Sequence, residues 1–399
     1  MGNGHNKLEL AARNTALVLT ESVRAFFRND GLTASSSLAF FSTIAMIPAL
    51  FLLTYVNSFS ESISHLMILK SQTVLEEFIP ASSAEVLDQL LSVSAPKHTL
   101  GLINILILLW SITPLLSAIR RAFSNIYKTG RKRLYFIVKL LDILLVTAFV
   151  LSYATVATSG VLLSLLPAEF IPSYFKTFLP YLVLISLVFV SYKAFSPKIN
   201  SRYLLAGALV STTLWFVMRP AFNVFLTYNA KFGFIFGSLK SIFVVVLWIY
   251  LSQCIYLFGV EVAATLRRRE ALVIKKLMDG KSPEYMRTAH TLLRSFGPGE
   301  TILEEGGTHP WMYFIRSGSV VVEKDGIKVA ELGEGRFLGE MSFLLGEPRS
   351  ATVSSVGQVE LITISHDNFS VLTREFPNIV EEMLEDMARR LKSTTELVI

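Results

Sequence analysis

LKSIFVVVLWIYLSQCIYLFGVEVAA, residues 239–264, carries two charged side chains, Lys240 near its start and Glu261 near its end, with twenty uncharged residues between them. That is the length a helix needs to cross a hydrocarbon core about 30 Å thick. Arg267-Arg268-Arg269 follows, then Lys275 and Lys276, a basic helix suited to an anionic leaflet, before Gly280 and Pro283 open a linker. Upstream, apolar segments at about 31–56, 99–119, 137–166, 177–196 and 203–228 repeat the pattern. The whole chain of 399 residues is 52% hydrophobic and only 17% charged, with a mean hydropathy of +0.52. Lipid is the expected sink for that apolar excess, so the front of the chain is expected to be an all-α bundle of six transmembrane helices.

The loops between the segments set an orientation. Lys7, Arg13, Arg24 and Arg28 precede the first span, Arg120, Arg121, Lys128, Arg131, Lys132 and Arg133 follow the second, and Lys193, Lys198 and Arg202 follow the fourth. By the positive-inside rule these are cytoplasmic, which places both termini there. The acid-rich stretch 57–98 is too long for a bare connection, and Ile63, Leu66, Met67, Val74 and Phe78 recur at near-helical spacing, so one or two amphipathic helices are expected in it. The opening thirty residues lack the apolar core and small-residue cleavage site of a signal peptide, so targeting is expected to come from the spans.

Residues 1–290 hold 27 Lys and Arg against 14 Asp and Glu, while residues 291–399 hold 10 against 17. Basic residues flanking apolar spans are accounted for by membrane orientation, and no nucleic-acid partner is expected. Cys254 is the single cysteine, and the six histidines are scattered, so neither a disulfide framework nor a metal site is expected. Three ionisable residues fall at membrane depth: Asp142, Arg219 and Glu261. Such groups face a bundle interior or an aqueous cavity; the sequence fits a polar pathway for a solute or proton and equally a structural ion pair that pins helices. Pro48, Pro114 and Pro220 sit where they can kink or break their helices.

From about residue 291 the texture changes. YFIRSGSVVVEKDG (313–326), IKVAELGEG (327–335), SATVSSV (350–356) and VELITIS (359–365) are short β-type runs separated by glycine-bearing turns, the pattern of a barrel or jelly roll. After Pro377, the residues Ile379, Val380, Met383, Leu384, Met387 and Leu391 make the apolar stripe of a final helix over about 378–394.

Between these runs lies FLGEMSFLLGEPRSATV, residues 337–353. It resembles the phosphate-binding cassette of cyclic-nucleotide-binding domains, and the resemblance runs through 291–395, with Phe296, Pro298-Gly299-Glu300, Tyr313-Phe314-Ile315 and Gly318 in the family's strand-and-turn positions. A cyclic phosphate is a singly charged anion, so its site needs one permanent cation and several backbone donors rather than a metal. The resemblance implies that Arg349 supplies the charge and Ser350 a hydroxyl. It implies further that Gly339 lets backbone approach, Met341 and Ser342 donate backbone N–H groups, and Glu340 accepts the ribose 2′-hydroxyl. The regulatory ligand expected is cAMP or cGMP, with cAMP favoured, and no covalent cofactor. In this family the final helix acts as a lid.

Three further stretches, DGLTASSSLAFFSTIAMIPALFLL (30–53), LGLINILILLWSITPLLSAIRRAFSNIY (100–127) and the run over 179–266, resemble the YihY/BrkB family, also labelled ribonuclease BN-like. The resemblance implies a six-span protein of the bacterial inner membrane. RNA hydrolysis needs clustered metal ligands or a water-facing acid and base, neither of which is visible, and no enzyme is expected. The expected organisation is a membrane domain over 1–265, a basic juxtamembrane helix and linker over 266–290, and a nucleotide-binding domain over 291–395. The expected function is a transport- or permeation-related protein gated by cyclic nucleotide; a membrane-anchored sensor or scaffold without transport is the alternative. Homo-oligomers are common where such domains regulate channels, although no sustained heptad seam is present.

Overall fold

Long apolar stretches become helices here even where β-branched residues are frequent, as in IFVVVLWIY of residues 242–250, because a helix satisfies its own backbone hydrogen bonds. The computed structural model describes residues 2–57, 99–129, 173–228, 240–280 and 291–396. Its front part contains α1 (Gly2–Arg28), α2 (Gly31–Asn57), α3 (Thr99–Tyr127), α4 (Ser173–Phe195), α5 (Ser201–Tyr228) and α6 (Lys240–Arg267). The expected spans at 31–56, 99–119, 177–196, 203–228 and 239–264 fall on α2 to α6. The span expected at 137–166, with Asp142, and the amphipathic helices expected within 57–98 lie outside the described residues. Among the described residues, Ser201–Tyr228 and Ile242–Arg267 are long and apolar enough to cross a membrane, and Gly31–Met46 and Tyr181–Phe195 are shorter apolar stretches. Pro48, Pro114 and Pro220 each sit inside a helix that continues past them.

The chain divides into two compact units, one of residues 21–264 and one that joins residues 1–20 to 265–399. In the first, Phe26, Leu38, Phe123, Tyr192, Leu204 and Leu257 are the large side chains of the core. Its tightest point is where α5 meets α6. A Cβ on Gly207 would stand 2.3 Å from the carbonyl oxygen of Gly259, so only glycine permits this approach. Hydroxyls lace the same crossing: Ser211 donates to the Ile255 carbonyl at 3.1 Å, and Tyr192 donates to the Tyr256 carbonyl at 2.6 Å. Backbone carbonyls thereby satisfy polar groups that have no water to turn to.

Among its described residues, the second unit holds the start of α1, α7 (Arg269–Met278), eight strands, and three further helices. The strands are β1 (Leu293–Phe296), β2 (Thr301–Leu303), β3 (Trp311–Ser317), β4 (Val320–Lys324), β5 (Ile327–Leu332), β6 (Phe337–Leu338), β7 (Thr352–Ser355) and β8 (Val359–Ser365). The helices are α8 (Glu340–Leu345), α9 (His366–Glu375) and α10 (Pro377–Glu396). Two antiparallel four-stranded sheets form a sandwich, in the orders β1-β8-β3-β6 and β2-β7-β4-β5. The period-2 alternation of strands divides β3 between two cores. Tyr313 and Ile315 join Leu303, Val320, Leu338, Val353 and Leu361 between the sheets. Met312 and Phe314 point the other way and join Phe337, Ile362 and Ile364 in a core shared with the helices.

That second core includes α7. Its charge suggests a helix lying at the membrane surface, yet Ala271, Val273, Ile274 and Leu277 are buried in the same cluster as Leu372 of α9 and Ile379 and Met383 of α10. The spacing of those residues is one apolar helical face, and the sandwich offers it a dry partner. The helix α9 is absent from the pattern read off the sequence. Ser365 starts it by accepting a hydrogen bond from the Asn368 N–H at 3.3 Å, a conventional N-cap.

Candidate ligand-binding site

The cassette begins where β6 ends. Gly339 takes φ of +73° and turns the chain into the short helix α8, whose first N–H groups, those of Met341 and Ser342 among them, have no acceptor within the helix. Gly346, at φ +72°, ends α8 and sends the chain through Pro348 to Arg349. The backbone of Arg349 is pinned on both sides: its N–H donates to the Gly307 carbonyl at 2.9 Å, and its carbonyl accepts from Gly306 N–H at 2.8 Å.

Arg349 is 4% exposed, and its guanidinium is held by backbone carbonyls. It donates to the carbonyls of Gly339 at 2.5 Å and His309 at 2.6 Å, and to that of Trp311. These three acceptors are neutral. Among the described residues Arg349 has no carboxylate within ion-pair distance; burial pulls its pKa below the ordinary arginine value, and Tyr313 and Glu340 only partly oppose that. The site therefore holds a buried positive charge whose hydrogen-bond acceptors are all backbone carbonyls, with N–H donors to spare out of the five a guanidinium carries. Gly339 is required by this arrangement as well as by its φ, because a Cβ there would stand 2.5 Å from Arg349 Nη1.

Glu340 is 5% exposed at the first turn of α8, and its partner is Arg390 of α10, whose Nη1 lies 3.2 Å from Glu340 Oε1. Ser342 is buried, while Met341 and Ser350 are exposed. The structure thus gathers Gly339, Glu340, Met341, Ser342, Arg349 and Ser350 around one turn of chain.

The two intramembrane candidates among the described residues, Arg219 and Glu261, are not gathered. Glu261 on α6 is 1% exposed and accepts a hydrogen bond at 2.6 Å from Asn29, in the turn between α1 and α2. Arg219 on α5 is half-buried, near the level where Phe222 packs on Trp248. Thirteen residues of α6 separate Trp248 from Glu261, so Arg219 and Glu261 stand about 20 Å apart along the helix axis. Asn29 and Asp30 also line a recess of about 440 Å³ with Ser124, Asn125, Lys128 and Thr129. No group of three or more His, Cys, Asp or Glu side chains able to hold a metal occurs among the described residues.

Comparison with known proteins gives these two parts separate relatives. The family model described as virulence factor BrkB matches residues 22–282, well over half the chain. The chain belongs to the BrkB family. A second family model, the cyclic nucleotide-binding domain, matches residues 293–376 of this BrkB-family protein. A UPF0761 membrane protein of Chromohalobacter salexigens is 26% identical over 259 residues, 63% of this chain and 63% of that protein, so the match spans less than two thirds of that relative. The ribonuclease-like protein YfkH of Bacillus subtilis is 25% identical over 271 residues, 64% of this chain and 96% of that one. Among solved structures, the catabolite activator protein of Thermus thermophilus is 28% identical, covering 31% of this chain and 61% of its own, with a TM-score of 0.26. The BrkB-family chain is thus a membrane protein that carries a cyclic nucleotide-binding domain in its tail.

Two features of the site were not read from the sequence. The first is Arg390, with Asp386 one turn before it. The pair sits at i, i+4 and continues the buried face of α10 that begins with Ile379 and Met383, yet in sequence it reads as an ordinary surface charge pair. The second is the trio of carbonyls around Arg349, which no sequence pattern announces because it depends on where β3 and the 306–311 turn are carried by the sandwich.

Proposed function

We propose that this BrkB-family protein is regulated by a cyclic nucleotide bound at its tail, with Arg349 and Ser350 holding the phosphate, the N–H groups of Met341 and Ser342 completing its cradle, and Glu340 accepting the ribose hydroxyl. The observation that carries the reading is the buried Arg349 guanidinium without a carboxylate partner. A permanent charge removed from water and left on neutral dipoles is costly, and a singly charged anion entering beside it removes that cost. Phosphate and sugar are common to cAMP and cGMP, so titration with both nucleotides decides the base.

The regulated activity we assign to the 1–265 domain is permeation or transport, in a multi-pass arrangement with both termini cytoplasmic. This is supported by the run of apolar segments, the charge of the loops between them, and buried polar side chains at membrane depth. Residues 266–290 connect it to the nucleotide-binding domain of 291–395, and the recess beside Asn29 and Asp30 is the proposed entry for a polar solute.

The test uses the full chain in lipid nanodiscs. Calorimetric titration with cAMP and with cGMP should give saturable binding of at least one, abolished in Arg349→Ala. Failure of the unsubstituted protein to bind either overturns the receptor reading. In liposomes, solute flux that responds to the bound nucleotide supports transport; confirmed binding with no flux supports a sensor that signals to a partner.

A further inference from the structure

Glu340 is the carboxylate that the proposed nucleotide would need, and the protein already uses it. Arg390 donates from Nη1 to Glu340 at 3.2 Å and from Nη2 to the Phe337 carbonyl at 2.7 Å, and it pairs with Asp386 one helical turn away. Asp386, 5% exposed, also pairs with Arg336, at the entrance to β6. Two arginines and two carboxylates thus fasten the C-terminal half of α10 to the β6–α8 corner, while Ile379 and Met383 fasten its N-terminal half through the helical core.

From this geometry we infer that Arg390 is a resident occupant of the sugar site, an autoinhibitory latch that a nucleotide must displace from Glu340. The inference rests on the nucleotide reading above. Arg390 is well built for exchange. It keeps Asp386 and the Phe337 carbonyl when Glu340 is surrendered, so its charge is never left unpartnered, and the cost of opening stays small. A ribose hydroxyl then donates to the carboxylate in its place. The half of α10 beyond Asp386 loses its tie to α8 in the same event while Arg390 stays on the Phe337 carbonyl, so sugar binding loosens this part of the helix. A ligand shifts such an equilibrium only by its different affinity for the two states, and competition for one carboxylate supplies that difference.

The decisive variant is Arg390→Gln in the full chain in nanodiscs, titrated with cAMP and cGMP beside the unsubstituted protein. Removing the competitor raises the fraction of competent sites, and the apparent dissociation constant should fall roughly fivefold. Backbone amides of residues 384–391 should exchange faster in ligand-free Arg390→Gln than in the unsubstituted protein, and saturating nucleotide should move the unsubstituted protein part of the way toward that rate; nucleotide that leaves the rate unchanged or slows it overturns the latch. Arg336→Gln loosens the helix through Asp386 without touching Glu340 and should move affinity the same way by a smaller factor. If Arg390→Gln binds nucleotide equally or more weakly while the unsubstituted protein binds well, Arg390 steadies Glu340 for the ligand and the latch is wrong, with the receptor reading intact. If the unsubstituted protein binds neither nucleotide, both fall together.

Discussion

Replacing Ile274 by alanine is the sharpest test of where the tail domain begins. Ile274 is wholly buried, among Phe314, Phe337, Ile362 and Ile364 from the sheet and Leu372 and Ile379 from the helices, although it lies between the triple arginine and Lys275 in what reads as a membrane-surface helix. Removing three buried carbons from a core that collapses only partly costs about 2–5 kcal/mol. For a fragment of residues 265–399 with a urea slope of roughly 1–3 kcal/mol/M, a loss near the middle of that range lowers the midpoint by about 1–3.5 M. Trp311 is the only tryptophan in that fragment, so its fluorescence follows unfolding without labels. Lys275→Ala is the matched control. It breaks the Lys275–Asp279 pair on the partly exposed side of the same helix, and exposed ion pairs contribute about 0–1 kcal/mol. Equal midpoints for Ile274→Ala and Lys275→Ala would refute the placement of α7 in the tail core. A fragment begun at residue 285 lacks α7 altogether and should expose the apolar surface this helix covers.

Gly339→Ala should be costly twice over, since φ of +73° strains alanine and the new Cβ meets the Arg349 guanidinium; we expect a loss of about 1–3 kcal/mol in the same urea assay, with nucleotide binding lost as well. Arg349→Lys keeps the charge but not the planar fork, and calorimetry should show affinity reduced roughly 10- to 100-fold, the worth of a charged hydrogen bond. In the membrane unit, Gly207→Val places carbon against the Gly259 carbonyl, and the thermal midpoint in detergent should fall by roughly 5 °C or more, while Leu209→Val, on the exposed side of α5, should leave it unchanged.

The ease with which each part could be read from sequence follows from the range of the interactions involved. Helices α2 to α6 are local and continuous in composition, so hydropathy alone finds them. The strands carry their own punctuation in glycine turns, and the cassette is a contiguous stretch whose residues meet because they are neighbours in sequence. Ile274, Arg390 and Glu261 are different. Their partners are 40 to 232 residues away, at Phe314, Glu340 and Asn29 respectively. Charge patterning pulled α7 toward the membrane surface because basic residues are visible in one dimension, whereas the hydrophobic face that decides its place is visible only against a sheet. Arg219 and Glu261 were grouped by a shared cost, burial at membrane depth, which says nothing about their height along a helix.

These long-range contacts also supply a way to examine the output end of the chain. The apolar helix α6 ends at Arg267, α7 starts at Arg269, and the single residue between them is tied down: Arg268, 4% exposed, donates to Thr265 Oγ1 at 3.2 Å and to Glu375 Oε1 at 3.4 Å. Glu375 ends α9, and Leu372 of that helix shares a core with Ile379 and Met383 of α10. A displacement of α10 therefore has a packed, contiguous route to the residue that terminates α6. Contiguity alone does not establish coupling. Linkage does, because any binding coupling between two sites is reciprocal: if nucleotide binding changes the state of the α6 terminus, a perturbation there must change nucleotide affinity by the same factor. Arg268→Gln and Glu375→Gln lie well away from the cassette, and at a typical coupling of about 1–3 kcal/mol each should alter affinity roughly fivefold or more. The double variant should then be no worse than either single one, because both remove the same link. Unchanged affinity in all three would mean that the nucleotide site and the end of α6 are energetically independent, and the tail would then have to act through a partner protein.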